Sequence, residues 1–348
     1  MRLTDRLCLE PYIILLTNNG FPYNVLKMDN IQKSLDIIEL DDDAKRQYID
    51  TVTAFKALEE ARVAAKEVRG GMYWKRTGQT DYLIRTSLSN TQKSLGPRTA
   101  DTEAIYHKFF VRKQSVEARE TSLVEAVQRH QRVNRALHVG RTPGIVVEIL
   151  NAIAHAGLSA YFTVVGTHAL YAYEMAAGVR IMDSSAMETR DVDLLWDTRK
   201  RVQFVSDMKI QGSSMVGLLQ KIDPTFVIRQ DQKYTATNSK GFEVDIIRRE
   251  VKENDPHPIR LSDAEDDFWV VPARNADVLM DAPHFSSVVV SSAGHIARMN
   301  TISPIVFSQF KRWMAQQPDR DPLKRSRDVR QADVVDTLVR EYLPHLLH

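Results

Sequence analysis

The sequence predicts an α+β fold, and three stretches in the middle of its 348 residues carry that prediction. An apolar, β-branched strand at residues 161–165 is followed by a Gly-Thr pair and a helical segment. Residues 189–195 (Thr-Arg-Asp-Val-Asp-Leu-Leu) and 241–247 (Gly-Phe-Glu-Val-Asp-Ile-Ile) read as two further strands. Apolar residues at helical spacing on either side predict a helical N-terminal region and a helical C-terminal cap.

Helices dominate the predicted N-terminal region. Residues 29–67 show apolar side chains at helical spacing, interrupted by the acids of residues 41–43. Acidic side chains stabilise the positive end of a helix dipole, so this run predicts a helix N-terminus rather than a metal site. Residues 102–138 predict a long helix with Thr102 as its N-cap.

A β-hairpin near residues 72–85 and a basic loop at 93–98 are predicted between these helices. Aromatic side chains among Lys and Arg could stack bases and hold phosphates, although packing on the next helix also explains them. The helix at 104–138 is rich in Arg and Lys, which could form a track for RNA or another polyanion. Its interspersed Glu residues favour a solvated helix with ion pairs.

The pair Gly166-Thr167 lies where the strand at 161–165 meets the next helix. Gly166 lets the backbone approach a ligand without a Cβ atom in the way. Thr167 is predicted to begin the helix, whose free N–H groups and positive dipole end suit an anion such as a nucleoside triphosphate. A Gly-Thr pair is weak evidence alone, and its value comes from the acids that follow it.

Asp191 and Asp193 lie on one face of the strand at 189–195, because side chains alternate along a strand. Two carboxylates this close repel each other. A sequence tolerates them where the face is open to water or where a cation lies between them. Carboxylate oxygens of this kind hold hard divalent cations such as Mg²⁺.

Asp245 supplies a third acid between the apolar residues Val244 and Ile246. An aspartate at such a position is unusual unless it faces a polar site. If its strand lies beside that of Asp191, the three carboxylates converge as in a two-metal phosphoryl-transfer site holding Mg²⁺ or Mn²⁺. Glu243 shares the face of Asp245 and is the rival third ligand, but it lies nearer the turn.

The sequence resembles a bacterial family of nucleotidyltransferase-fold proteins. The resemblance rests on the motif Gly-Thr-His-Ala-Leu-Tyr-Ala-Tyr-Glu at 166–174, on the Asp-x-Asp strand that follows it and on the lone Asp245. That family belongs to the superfamily of the DNA polymerase β type, and the resemblance extends from about Gly70 to the C-terminus. It implies a polymerase β-like core, a mixed or antiparallel sheet with helices. It also implies metal-dependent transfer of a nucleotidyl group from a nucleoside triphosphate to an acceptor hydroxyl, with release of pyrophosphate. Gly-Thr stands where the superfamily usually has Gly-Ser or Gly-Gly, and threonine keeps the hydroxyl.

Three cationic residues are candidates for phosphate contact. Arg180 falls in a predicted loop at 178–188, and a loop beside a triphosphate often carries a mobile arginine. In the resembling proteins a lysine like Lys311 and a Lys-x-x-x-Asp-x-x-Gln signature, here at 324–331, follow the catalytic domain, which implies a helical cap with Lys324 near the phosphates. A solvated basic surface is the alternative for each of these C-terminal residues except Lys311. Lys311 lies between Phe310 and Trp313 in the sequence, so we expect its stem to be half buried.

We divide the chain into a mainly helical region at 1–140, a catalytic domain at 141–255 and an α/β to helical region at 256–348. The acceptor stays open among RNA, a protein hydroxyl and a small molecule, and bacterial relatives of the implied fold include toxin and antitoxin enzymes. Two alternatives to an active transferase remain. One is an inactive nucleotide-binding regulatory module, and the other is a nucleic-acid-binding protein using the basic helix at 104–138.

Composition limits the partners and the compartment. The formal net charge is only +2, so any polyanion would need a local basic patch. The single cysteine, Cys8, excludes an intrachain disulfide framework and a cysteine-built zinc site, and fits a reducing compartment. Apolar runs are too short to span a membrane, so we expect a cytoplasmic protein. The sequence leaves the oligomeric state open.

Overall fold

The computed structural model describes residues 37–87, 91–252 and 259–347. Within them, residues 42–139 form one compact unit, and residues 37–41 with 140–347 form another. Cys8, the start of the helix predicted from residue 29 and the proline-containing stretch at 256–258 lie outside the described residues. The division at 140 and 255 stays a prediction.

The smaller unit consists of two long helices and a small sheet. Its elements are α1 (Asp42–Glu67), β2 (Gly71–Thr77), β3 (Thr80–Thr86), β4 (Gln92–Pro97) and α2 (Ala100–Ala136). The strand β1 (Ile37–Glu39) precedes them and belongs to the larger unit. The sequence predicted a helix at β1, and that prediction was wrong. Two acids lie in the first turn of α1, as the helix dipole favours. β2 and β3 form an antiparallel hairpin. The predicted basic loop is instead a third strand, β4, paired with β3.

The start of α2 differs from the prediction by three residues. Thr99 is the N-cap, and Thr102 lies at the third helical position rather than at the cap. The Thr102 N–H donates to the Thr99 hydroxyl at 3.3 Å, and the Thr99 N–H donates to the Thr102 hydroxyl at 2.8 Å. Threonine therefore takes the role that Glu or Gln usually has in a capping box. Lys113 lies near Glu117 in the next turn, 3.7 Å away, as an ion-paired helix would have it.

The larger unit combines a mixed sheet with helices. Its first elements are α3 (Gly144–His155), β5 (Phe162–Val165), α4 (Ala169–Ala177), β6 (Val179–Ile181), α5 (Ser184–Met187), β7 (Asp191–Trp196), α6 (Arg201–Gln211) and α7 (Met215–Ile222). The elements that follow are β8 (Val227–Ile228), β9 (Thr235–Thr237), β10 (Glu243–Arg248), β11 (Ile259–Arg260), β12 (Trp269–Pro272), α8 (Ala276–Met280), β13 (His284–Val290), β14 (Ile296–Ile302), α9 (Pro304–Ala315) and α10 (Pro322–Tyr342).

The main sheet has the strand order β11-β12-β10-β7-β5-β14-β13, with β9 also paired to β10 and β8 to β9. β7 runs parallel to β10 and antiparallel to β5, while β5 runs parallel to β14. The sheet is therefore mixed, and the α+β prediction is confirmed. No helix in the described ranges is long and apolar enough to cross a membrane.

Two hydrophobic cores cover the two faces of this sheet. Val192, Leu194 and Trp196 of β7 lie in one core with residues of α3, α6 and α7. Leu195, which points the other way, lies in the second core with residues of α4, α9 and α10. Because side chains alternate along a strand, Asp193 shares the face of Leu195 and looks toward these three helices.

An ion pair between the half-buried Arg141 and the buried Glu174 fixes α4 in place. Arg141 Nε and a terminal nitrogen each donate to one carboxylate oxygen of Glu174 at 2.8 Å, and Arg141 also donates to the Ile181 carbonyl of β6. Two parallel hydrogen bonds make this the strong geometry for an arginine and a carboxylate. The pair holds α4, whose N-terminal end adjoins the Gly166-Thr167 turn, against β6.

Candidate active site

Strand pairing brings three aspartates together. β7 and β10 pair in parallel register, with Asp245 opposite Asp193 and Glu243 opposite Asp191. One carboxylate oxygen from each of Asp191, Asp193 and Asp245 lies within 4.8 Å of the others. The apolar residues between them point into the core on the opposite face, so the burial of the strands fixes the direction of the acids.

The electrostatics of this cluster favour a cation. Burial and, after it, the charges of Asp191 and Asp245 together raise the pKa of Asp193 to about 7, against the opposing effect of Lys311 and Arg327. Burial also raises the pKa of Asp245, although the Thr235 hydroxyl counteracts this. Like charges held close together raise the free energy of the folded protein unless a proton or a metal ion neutralises them. The donor set, three carboxylates at one point, therefore fits Mg²⁺ or Mn²⁺.

Threonine hydroxyls orient two of the three acids. Thr235 of β9 donates to Asp245 Oδ1 at 2.6 Å, and Thr189 donates to Asp191. Glu243, the rival ligand, is instead engaged by Arg229 at 2.8 Å and is absent from the acid cluster formed by the described residues. The structure thus brings together the three aspartates selected from the sequence.

The Gly166-Thr167 turn lies directly against the acid cluster. Gly166 has a φ of +71°, and a Cβ atom added there would lie 2.2 Å from Asp193 Oδ2. Only glycine fits this combination of backbone conformation and close approach. The helix predicted to begin at Thr167 begins at Ala169, because Gly166 and Thr167 accept i+3 hydrogen bonds in a tighter turn.

His168 completes this turn but has no charge to offer. Its ring is buried against the rings of Tyr171 and Phe242. Burial lowers the pKa of His168 to about 4, although nearby Asp191 opposes this shift. The imidazole is therefore neutral at physiological pH.

Cations from α9, α10 and the segment between them face the acids. Lys311 is buried, its Nζ is 3.0 Å from Asp328 Oδ1, and Arg320 donates to Asp328 Oδ2 at 2.7 Å. Burial lowers the pKa of Lys311, while Asp328 and Asp193 oppose that shift. Lys311 is thus more deeply enclosed than the half-buried stem that the sequence suggested.

The acids, the turn and the cations line one cavity of about 300 Å³. Its polar and charged lining residues are Thr167, Asp191, Asp193, Asp245, Arg274, Lys311, Arg320, Lys324 and Arg327, with Gly166 at the turn. The volume is of the order expected for a small-molecule site, at its lower end. Acids on one side and cations on the other can hold a metal ion together with a polyphosphate.

Arg180 is the one predicted phosphate contact that the described cavity lining does not include. Its segment is not a loop: Arg180 lies in β6 and pairs in register with Ile38 of β1. A partner strand from about 140 positions earlier in the chain forms this sheet, and no local signal announces such a pairing.

Sequence reasoning missed the roles of Asp328 and Gln331. Asp328 holds Lys311 and Arg320, and Gln331 donates to the Thr167 hydroxyl and the Ala186 carbonyl. Residues three apart lie on one face of a helix, so their spacing could have indicated that both point inward. The segment 324–331 therefore does two things: Asp328 and Gln331 hold other site residues in position, and Lys324 and Arg327 contribute positive charge to the cavity.

Fold and site together define an α+β protein with a carboxylate cluster, suited to a divalent metal, opposite a group of cations. The chain belongs to a family described as Nucleotidyltransferase, whose model matches residues 145–348, more than half of the sequence. Comparison with the curated proteins and with solved structures finds no match. The matched range begins within α3 and contains the three aspartates, the Gly-Thr turn and the cations of the cavity.

Proposed function

We propose that this protein is a metal-dependent nucleotidyltransferase with a core of the DNA polymerase β type. The observation that carries the proposal is the meeting of Asp191, Asp193 and Asp245 with the Gly166 turn and buried Lys311 in one cavity. Family membership supports nucleotidyl transfer in general. The metal, the triphosphate and the acceptor are proposed from the chemistry of the lining.

The three aspartates would hold Mg²⁺ or Mn²⁺. When bound, two such ions supply positive charge that activates the attacking oxygen and neutralises the leaving one. The raised pKa of Asp193 supports this assignment, because burial beside two other carboxylates disfavours its charged form.

The glycine turn beside the acids and the cations of the cavity would bind the triphosphate. Gly166 and Thr167 offer backbone N–H groups at a glycine turn, and Lys311, Lys324 and Arg327 offer positive charge. Arg180 is left out of this proposal, because it is not among the described residues lining the cavity. Asp328 neutralises part of the charge of Lys311, so we assign Lys311 a fixed position and Lys324 and Arg327 the more adaptable contacts.

The transfer forms one bond and breaks one. The acceptor hydroxyl oxygen attacks the α-phosphorus, a new P–O bond forms, and the bond from that phosphorus to the bridging oxygen breaks to release pyrophosphate. Asp245 can take the hydroxyl proton on the oxygen that Thr235 leaves free, since the threonine occupies Oδ1. The side chains otherwise position the reactants and stabilise the charge that moves to the leaving group.

Label transfer tests this proposal. The full chain is incubated with each α-labelled nucleoside triphosphate, Mg²⁺ or Mn²⁺, and an extract containing RNA and protein, and the labelled product is identified. We expect transfer by the natural chain and none by Asp193→Ala. Glu243→Gln is the matched control, because Glu243 lies on the same face of the sheet as Asp193 but outside the carboxylate cluster, and the variant should keep transfer.

Tight triphosphate binding without transfer under every condition would favour the regulatory module instead. Transfer retained by Asp193→Ala would contradict the assigned site. A cytoplasmic location and a role in a toxin–antitoxin system stay predictions from the sequence and its resemblance.

A further inference from the structure

A second depression adjoins the proposed catalytic cavity. It is a groove of about 750 Å³ between α5 and the first turns of α10. Its lining residues are Asp183, Ser184, Ser185, Glu188, Leu323, Lys324, Ser326, Arg327 and Arg330. Lys324 and Arg327 line both the groove and the catalytic cavity, so the two share a wall.

Two of the three cations in this groove, Lys324 and Arg327, form no ion pair with a carboxylate among the described residues. No described residue pairs with the Lys324 ammonium group. Arg327 donates to the Glu188 main-chain carbonyl at 3.2 Å, and its Nε is buried with no hydrogen-bond partner among the described residues. Arg330 lies 2.9 Å from Asp183, whose carboxylate also caps α5. Glu188, an exposed acid, is the only other carboxylate among the described lining residues. Three cations against two acids leave the lining with a net positive charge, which favours an anionic ligand.

The arrangement of these cations suits a chain of phosphates. Lys324, Arg327 and Arg330 are three residues apart on α10, which spaces them by about 4.5 Å along the helix axis. Long side chains can spread from this spacing to meet successive phosphates of an extended single strand. The hydroxyls of Ser184 and Ser326 add neutral donors beside them, whereas the Ser185 hydroxyl donates to Asp183.

The groove offers little to a protein partner. Leu323 is its one apolar lining residue, whereas protein interfaces depend on buried aromatic and aliphatic anchors. No aromatic ring lines the groove among the described residues, so bases have no stacking platform. A ligand held here is recognised through its backbone charge rather than through its base sequence.

We propose that this groove holds the phosphodiester backbone of a single-stranded nucleic-acid acceptor and directs its terminal hydroxyl toward the three aspartates. The inference rests on the proposed nucleotidyl transfer and names its acceptor. The terminal hydroxyl oxygen is then the atom that attacks the α-phosphorus, and pyrophosphate leaves as above. Arg327 lines both the groove and the catalytic cavity, so it lies where the acceptor strand would meet the triphosphate.

Binding without triphosphate tests the groove directly. Fluorescence anisotropy is measured for the full chain with a dye-labelled single-stranded RNA of ten nucleotides, and with DNA of the same sequence, over a range of salt concentrations. If the groove contacts three phosphates, a plot of the logarithm of the binding constant against the logarithm of the salt concentration should have a slope of about −2, since each contact contributes roughly −0.7. Binding of both the RNA and the DNA would indicate that the backbone alone is recognised. Binding of the RNA but not the DNA would indicate an additional contact with the 2′-hydroxyl. Either result supports the proposal.

Arg330→Gln is the test variant and Arg340→Gln its matched control. Both arginines lie on α10, are 58% and 59% exposed at the side chain, and form an ion pair with a nearby acid, but Arg340 is outside the groove. We expect Arg330→Gln to weaken binding by about three- to tenfold and to reduce the salt slope by about 0.7, with no change for Arg340→Gln. Ser326→Glu, which adds a negative charge without removing the Asp183 contact, should weaken binding if Arg330→Gln disturbs folding.

Absence of nucleic-acid binding, or equal losses in Arg330→Gln and Arg340→Gln, would overturn the groove assignment. Label transfer measured in parallel separates this outcome from failure of the proposed function. Transfer to a protein or small molecule at the natural rate by Arg330→Gln keeps the transferase and removes the groove. Nucleic-acid binding that Arg330→Gln weakens, without any transfer, keeps the groove as a nucleic-acid site and removes the transferase.

Discussion

Gln331 Nε2 donates a hydrogen bond of 2.9 Å to Thr167 Oγ1, joining α10 to the glycine turn at the acid cluster. The same amide donates to the Ala186 carbonyl of α5 at 2.7 Å. Gln331 and Thr167 are both buried, so water does not replace these bonds. One side chain of the C-terminal helix therefore fixes both the catalytic turn and the edge of the neighbouring groove.

Gln331→Met should loosen that turn while keeping the volume of the side chain. The Thr167 hydroxyl and the Ala186 carbonyl would lose a buried partner, which costs about 1–3 kcal/mol for each unsatisfied group. We expect lower stability in chemical unfolding and a KM for triphosphate that rises more than kcat falls. Gln316→Met, at an exposed glutamine that ends α9, should change neither. Unaltered stability and KM in Gln331→Met would show that the amide is dispensable.

Gly166→Ala should disable the metal site. Alanine at a positive φ costs roughly 1–2 kcal/mol of backbone strain, and here its Cβ would also meet Asp193 Oδ2 at 2.2 Å. Gly241→Ala is the control, because Gly241 has a φ of +74° but open space around its added Cβ. Both variants should lose similar stability from strain, but only Gly166→Ala should lose Mn²⁺ binding in a calorimetric titration. Equal Mn²⁺ affinity in the two would contradict the close approach.

Asp193→Asn should stabilise the metal-free protein at alkaline pH. The folded pKa of about 7 exceeds the ordinary value of 3.8, so the folded state binds this proton more tightly than the unfolded chain. Stability from Asp193 is therefore greatest at low pH, declines between about pH 4 and 7, and stays low above that. In chelator, urea unfolding at pH 8 should show a gain of roughly 2 kcal/mol for the variant, less than the full pKa difference corresponds to, because the carboxylate is only partly buried and solvent screens it. The gain should vanish near pH 4.

Divalent metal should make the natural chain more stable than Asp193→Asn at pH 8, the reverse of the order expected without metal. Mg²⁺ binds the folded site and stabilises it by mass action, so the natural chain should gain thermal stability at pH 8 with rising Mg²⁺. Asp193→Asn, with one ligand charge removed, should gain much less. Equal shifts in melting temperature for the two proteins would place the metal elsewhere.

Asp328→Asn should be strongly destabilising, although the residue contacts no substrate. It would leave Lys311 and Arg320 without their shared carboxylate, and breaking a buried ion pair costs about 3–5 kcal/mol. Asp333→Asn on the same helix is the control: Asp333 pairs with Arg312 at 2.8 Å but is 46% exposed. An exposed pair contributes only about 0–1 kcal/mol. Similar losses in the two variants would argue against a special role for the buried cluster.

Local patterns were enough to predict the parts of the site that depend on a single strand. Alternation along 189–195 and 241–247 identified the faces of Asp191, Asp193 and Asp245, because the apolar residues between them must be buried. The glycine at the end of β5 was equally visible. Element ends were less well predicted: Thr99 and Thr102 both carry hydroxyls, and only the packed helix distinguishes the cap from the third position.

Long-range contacts were beyond the reach of these patterns. Arg180 looked like a loop residue because its partner β1 lies far away in the chain. The family resemblance pointed to Lys324 and Gln331 but not to what they touch. The contact of Gln331 with Thr167 joins positions 164 residues apart, and it depends on how α10 packs on the sheet.

That separation has a consequence for synthesis of the protein. A ribosome completes the glycine turn early, yet the amide that anchors it is added 164 residues later. Throughout that interval the growing polypeptide holds the threonine hydroxyl without its partner, so the pocket can assume its finished shape only after α10 has been synthesised.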